Sequence, residues 1–79
     1  MEDIKEIEKK VERKIKQEFG GVTKVILLPK SWWVDDQPTW DIYFGDKDVT
    51  EYFAFIQSNK IHICRRSATI DIYIDSIAL

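Results

Sequence analysis

Apolar and polar positions alternate with two different periods along this chain, and the change falls at a pair of glycines. Ile4, Ile7, Val11, Ile15 and Phe19 recur at steps of three and four. That spacing makes one stripe on an α-helix. Glu6, Lys9, Lys10, Glu12, Arg13, Lys14 and Lys16 fill the other faces. Asp3 stands at the N-cap position with Glu6 three residues on, the order of a capping box. Gly20-Gly21 is expected to end the helix through a left-handed C-cap. The stretch is too short for a coiled coil, so the stripe is expected to lie on a sheet.

From Val22 the period changes to two. Val22-Thr23-Lys24-Val25-Ile26-Leu27-Leu28 is rich in β-formers and ends at Pro29. Proline cannot donate to a ladder, which places this strand at an edge or at a bend. Ser31-Trp32-Trp33-Val34 reads as its continuation, and Asp35-Asp36-Gln37-Pro38 as a turn. Four further strands are predicted over Thr39–Phe44, Val49–Gln57, Lys60–Arg66 and Thr69–Ile77. The links between them are too short for anything but antiparallel hairpins. The fold class is therefore α+β. An N-terminal amphipathic helix packs on one face of an antiparallel meander of four to five strands, and residues 1–79 make a single domain.

Alternation then predicts the faces. Trp40, Ile42, Phe44, Phe53, Phe55, Ile61, Ile63, Ile70, Ile72 and Ile74 are expected under the helix. Facing Phe55 with Ile61 across a loop of Gln57-Ser58-Asn59 satisfies that parity, with Asn59 left-handed. The last hairpin then pairs Ile63 with Ile72, and Lys60 falls opposite Asp75. The outer face receives one row of Thr39, Ala54, His62 and Tyr73. A second row holds Asp41, Tyr52, Cys64 and Asp71, with Tyr43 and Arg66 at one end. All three tyrosines, the one histidine and the one cysteine are thus expected on one surface.

Composition narrows what such a surface does. Hydrophobic residues make up 44% and charged residues 33%, a globular balance. The net charge of -2 argues against a duplex-DNA binder, whose affinity comes from neutralised phosphates. One cysteine gives no disulfide framework and no zinc cluster. The charged N-terminal run has no apolar signal core, and no segment is apolar for long enough to span a membrane. A cytoplasmic, reducing location is the expectation, with no cofactor and no metal.

Three chemistries compete for the outer face. Tyrosine and arginine anchor protein interfaces, so Tyr43, Tyr52, His62, Tyr73 and Arg66 form a candidate binding face, with Trp32 and Trp33 as loop anchors. The leading expectation is a non-enzymatic protein-binding module, a small regulator or inhibitor of a larger protein. The alternative is single-stranded nucleic-acid or small-ligand binding, in which aromatic groups stack on bases. A third reading makes Cys64, His62 and Asp71 a thiol nucleophile with its base and orienter. A flat sheet offers no cleft or cation to lower the thiol pKa, which argues against it. A second copy of the chain is a further candidate partner, over the sheet face or along the last edge strand.

Overall fold

In the computed structural model, which describes residues 3–79, the chain forms one helix and one five-stranded antiparallel sheet. Met1 and Glu2 of the charged N-terminal run lie outside the described residues. The elements are α1 (Ile4–Glu18), β1 (Val22–Leu27), a 3-10 turn at Lys30–Trp32, β2 (Thr39–Phe44), β3 (Tyr52–Gln57), β4 (Lys60–Arg65) and β5 (Ile72–Ala78). The strands lie side by side in chain order, so every connection is a hairpin and β1 and β5 are the edges. Among the described residues, no helix is long and apolar enough to cross a membrane.

The helix starts as its cap predicts, with the Asp3 carboxylate accepting from the Lys5 amide at 3.4 Å. It stops at the glycines, but not by a left-handed C-cap. Phe19 is the C-cap in an extended conformation, and neither glycine adopts positive φ. Gly21 packs close to Phe44, where a Cβ would stand in van der Waals contact with the ring at 3.4 Å. Val11 and Ile15 are fully buried against Val22, Trp40, Ile42, Ala54, Ile61 and Ile63. Ile7, Phe19, Val25, Leu27, Phe44, Tyr52, Ile56 and Ile77 complete this layer. Trp40 faces Ala54 across the sheet, so the largest core side chain is seated beside the smallest.

The segment after β1 does not extend the strand. Pro29 leads into the 3-10 turn, and Asp35 and Asp36 take φ of 49° and 61° in a two-residue turn that pairs Val34 with Gln37. Thr39 ties this excursion down. Its hydroxyl donates to the Gln37 carbonyl and accepts from the Val34 amide.

Three predicted registers are corrected. β3 and β4 join through Ser58 and Asn59 alone, at φ 54° and 59°. Gln57 therefore pairs with Lys60, Ile56 with Ile61, and Phe55 with His62. Paired residues share a face, so Tyr52, Ala54 and Ile56 turn toward the helix and Phe53 and Phe55 turn away. The sequence Tyr52-Phe53-Ala54-Phe55-Ile56 is apolar on both faces, so alternation alone carried no direction. The two-residue loop settled it, because positive φ at both central residues matches the strand twist.

β3 also starts at Tyr52 rather than Val49. Thr50 holds the preceding loop by donating to the Ile42 carbonyl while accepting from the Tyr52 amide. β5 starts at Ile72 rather than Thr69. Its Ile72 faces Arg65 and its Asp75 faces Ile63, with a β-bulge that leaves Ile74 as the extra residue. Lys60 lies opposite Ala78, not Asp75. Ile70, Ile72 and Ile74, expected under the helix, remain 70%, 46% and 42% exposed.

Replacing Asn59 by valine forces a β-branched residue into the left-handed region, which costs about 1–2 kcal/mol. Urea unfolding of Asn59→Val should show that loss, whereas Asn59→Gly should be at least as stable as the parent. Equal stability of the valine variant would contradict the turn.

Candidate functional site

The face turned away from the helix is carried by the middle of the sheet. One row runs Thr39, Phe55, His62 and Ser76, and the next runs Asp41, Phe53, Cys64 and Tyr73. Ile26 extends the second row onto β1, opposite Asp41. Its aromatic groups form a connected chain. Phe53 and Phe55 stack at 6.4 Å, Phe55 and His62 at 5.2 Å, and His62 and Tyr73 meet tilted at 6.2 Å. The chain of rings thus leads from the central strand to the β5 edge.

Arg66 closes the other end. Its backbone N–H donates to the Glu51 carbonyl at 2.7 Å just after β4, which directs the side chain across the outer face. The guanidinium donates to Asp41 Oδ1 at 2.9 Å and sits 4.6 Å from the Phe53 ring centre. A cation over an aromatic face is attracted by the ring quadrupole. The same group meets a carboxylate, so Asp41 presents no bare negative charge. Phe53 ends only 3% exposed although no helix covers it. Lys24 repeats the motif on β1, its ammonium 5.1 Å from the Tyr43 ring centre.

The candidate residues divide as follows. Tyr43, His62, Tyr73 and Arg66 share the outer face as expected. Tyr52 does not. It packs edge-to-face on Phe44 at 5.1 Å on the helix side. Asp75 pairs with Ile63 on the helix side. Trp32 is 71% exposed on the 3-10 turn. Trp33 is half-buried and donates its indole N–H to the Leu28 carbonyl at 2.8 Å, fastening the turn to the end of β1. Phe53 and Phe55 are the residues that sequence reasoning placed on the wrong side. The signal that could have found them is the Ser58-Asn59 dipeptide, read as a two-residue loop.

Cys64 is buried on this face beside Phe53 and Tyr73. Burial pushes its thiol pKa up, and the nearby Asp71 charge pushes it further. Its thiolate fraction at neutral pH is therefore below that of a free cysteine, the reverse of what a nucleophile needs. His62 Nε2 lies 3.2 Å from the Gln57 carbonyl, and its ring stacks on Phe55. Among the described residues, no group of three or more His, Cys, Asp or Glu is placed to hold a metal ion.

The helix side also has an opening. The helix backbone runs closest to β1. Toward β5 it leaves an apolar groove of about 260 Å³ lined by Phe19, Ile42, Phe44, Tyr52, Ile63 and Ile74. A second depression of about 570 Å³ shares Phe44 and Tyr52 and is rimmed by Lys47, Glu51 and Arg65. Arg65 and Glu51 form an exposed ion pair at 2.8 Å. No protein-family model, curated protein or solved structure matches this chain.

The raised Cys64 pKa has a stability consequence of definite sign. The unfolded chain loses the thiol proton first, so it binds fewer protons than the folded chain once pH exceeds the unfolded value, about 8.5. The Cys64 contribution is fully present below that pH and is lost as pH rises through the folded pKa. Denaturation midpoints should fall over this range, and Cys64→Ala should remove that part of the fall. An alkylating reagent at pH 7 should modify folded Cys64 more slowly than the urea-unfolded chain. Faster modification of the folded protein would reverse the assignment.

Proposed function

We propose that this chain is a non-enzymatic binding module that engages a protein partner through the outer sheet face. One observation carries the reading: the connected row Phe55, His62 and Tyr73, backed by the buried Phe53 under Arg66. Sheet faces in water normally alternate polar residues outward. Here the central strand spends its outward positions on two phenylalanines. Aromatic groups held rigidly by their neighbours offer contact area at small entropic cost, and arginine and tyrosine are frequent anchors. Trp32, exposed on the 3-10 turn, is the additional anchor. A regulator or inhibitor of a larger protein is the role that fits a domain of 79 residues built around one such face. The single cysteine, buried and unpaired, suits a reducing compartment such as the cytoplasm.

A second reading, single-stranded nucleic acid, is favoured by a specific pairing. Arg66 and Lys24 each stand over an aromatic ring of this face. Stacking rings flanked by cations are what base stacking and backbone tracking require. The net charge of -2 weighs the other way.

The test is affinity capture from nuclease-treated source lysate with the 79-residue chain and its Phe55→Ala/His62→Ala variant, checked for folding by circular dichroism. A single defined protein should be retained by the parent and weakened at least about 30-fold in the variant, the size of one interface hot spot. Undiminished capture by the variant would overturn the protein-binding reading. Salt-sensitive binding of a mixed-sequence single-stranded oligonucleotide, lost in Arg66→Ala, would establish the second reading in its place.

A further inference from the structure

We infer that two copies of this chain join edge to edge through β5, antiparallel, about a twofold axis at Ile72. β5 is the last strand of the sheet, and no described strand or helix lies along its free side. The exposed apolar surface is concentrated there. Ile70, Ile72, Tyr73 and Ile74 are 70%, 46%, 59% and 42% exposed within five consecutive residues. An exposed apolar edge strand invites pairing with another chain.

The strand pattern also outruns the strand. Thr69-Ile70-Asp71-Ile72-Tyr73-Ile74 alternates from its first residue. Regular pairing begins only at Ile72, because its partner Arg65 ends β4. Thr69 to Asp71 have strand composition but lie outside the strand, and Ile70 is held in a turn by the Ser67 hydroxyl, which accepts from its amide and donates to its carbonyl. Pairing with a second copy draws Ile70 out of this turn and extends the strand toward Thr69.

Charge selects the register. With the axis at Ile72, Ile72 faces its own copy, Ile70 faces Ile74, and Asp71 faces Tyr73. The isoleucines then form one ladder on the helix side, next to the groove lined by Phe19, Phe44, Tyr52, Ile63 and Ile74. The aspartates meet tyrosines on the outer side, where the phenol O–H can donate to a carboxylate. Moving the axis to Tyr73 sets Asp71 against Asp75, and like charges directly opposite destabilise a strand pair. Moving it to Ile74 sets Ile72 against Ser76 and breaks the apolar ladder. The β-bulge falls at Ile74, so the Ile70–Ile74 contact is the last of the ladder.

Sedimentation equilibrium of the full chain over a dilution series up to about 1 mM tests this. The mass should rise from 9.4 kDa toward twice that value. A mass of 9.4 kDa at every concentration would overturn the proposal. Ile72→Lys sets two ammonium groups together at the axis, so it should be monomeric with an unchanged circular dichroism spectrum. A persistent dimer in this variant would place the contact elsewhere. Register is read by disulfide trapping in a Cys64→Ser background. Facing residues in an antiparallel pair lie about 4.5–5.5 Å apart at Cα, within the reach of a disulfide. Ile72→Cys should cross-link under oxidation at least about 10-fold faster than Ile74→Cys, which faces Ile70 instead of itself. Equal or reversed rates would overturn the register.

Discussion

The β3–β4 hairpin closes through two residues, Ser58 and Asn59, both held at positive φ. A closure of that length pairs residue 57 with residue 60, and from that one pairing the face of every residue on the central strand follows. Tyr52, Ala54 and Ile56 join Ile61 and Ile63 beneath the helix. Phe53 and Phe55 are turned outward beside His62 and Cys64. Had the loop been one residue longer, the two phenylalanines would fill the core and Ala54 would face water. Both the packing of the core and the identity of the aromatic face therefore depend on this turn.

The helix is too narrow to cover five strands. It runs nearest β1, and Val11 and Ile15 bury themselves over the middle of the sheet. Lys14 reaches to the Ala78 carbonyl at 2.9 Å, but the strip from Phe19 and Phe44 to Ile74 stays open. On the opposite face Phe53 is enclosed by its neighbours, with the Arg66 guanidinium over its ring and Phe55 stacked beside it. Among the described residues no second helix covers that face, and aromatic stacking with an Asp41–Arg66 ion pair holds it. That pair is partly buried and touches a ring. It is therefore better ordered than the exposed Lys16–Glu12 pair on the helix, which adds little. The same economy leaves both the outer face and the β5 edge available for contacts.

Much of the architecture was legible in the sequence. The apolar stripe from Ile4 to Phe19, the change of period at Val22, and the short links between strands specified a helix followed by an antiparallel meander. Pro29 pointed to an edge or a bend at the end of β1 without placing the strand in the sheet, and the inward positions of Trp40, Ile42, Ile61 and Ile63 were readable because their neighbours are polar. Of the candidate site, Tyr43, His62, Tyr73 and Arg66 were legible on the same ground.

What the tertiary structure alone decided was the side of β3 and the ends of β5. In Tyr52-Phe53-Ala54-Phe55-Ile56 both faces are apolar, so local pattern offers two directions of equal merit. The choice rests on turn geometry and on the fit of Ala54 beside Trp40. Thr69 to Asp71 read as strand, but a strand needs a partner, and β4 ends too soon to provide one. Periodicity records what each residue prefers, whereas pairing depends on where another segment stops. That is why the sequence by itself determined the elements and their order, and only the assembled sheet determined which aromatic residues meet water.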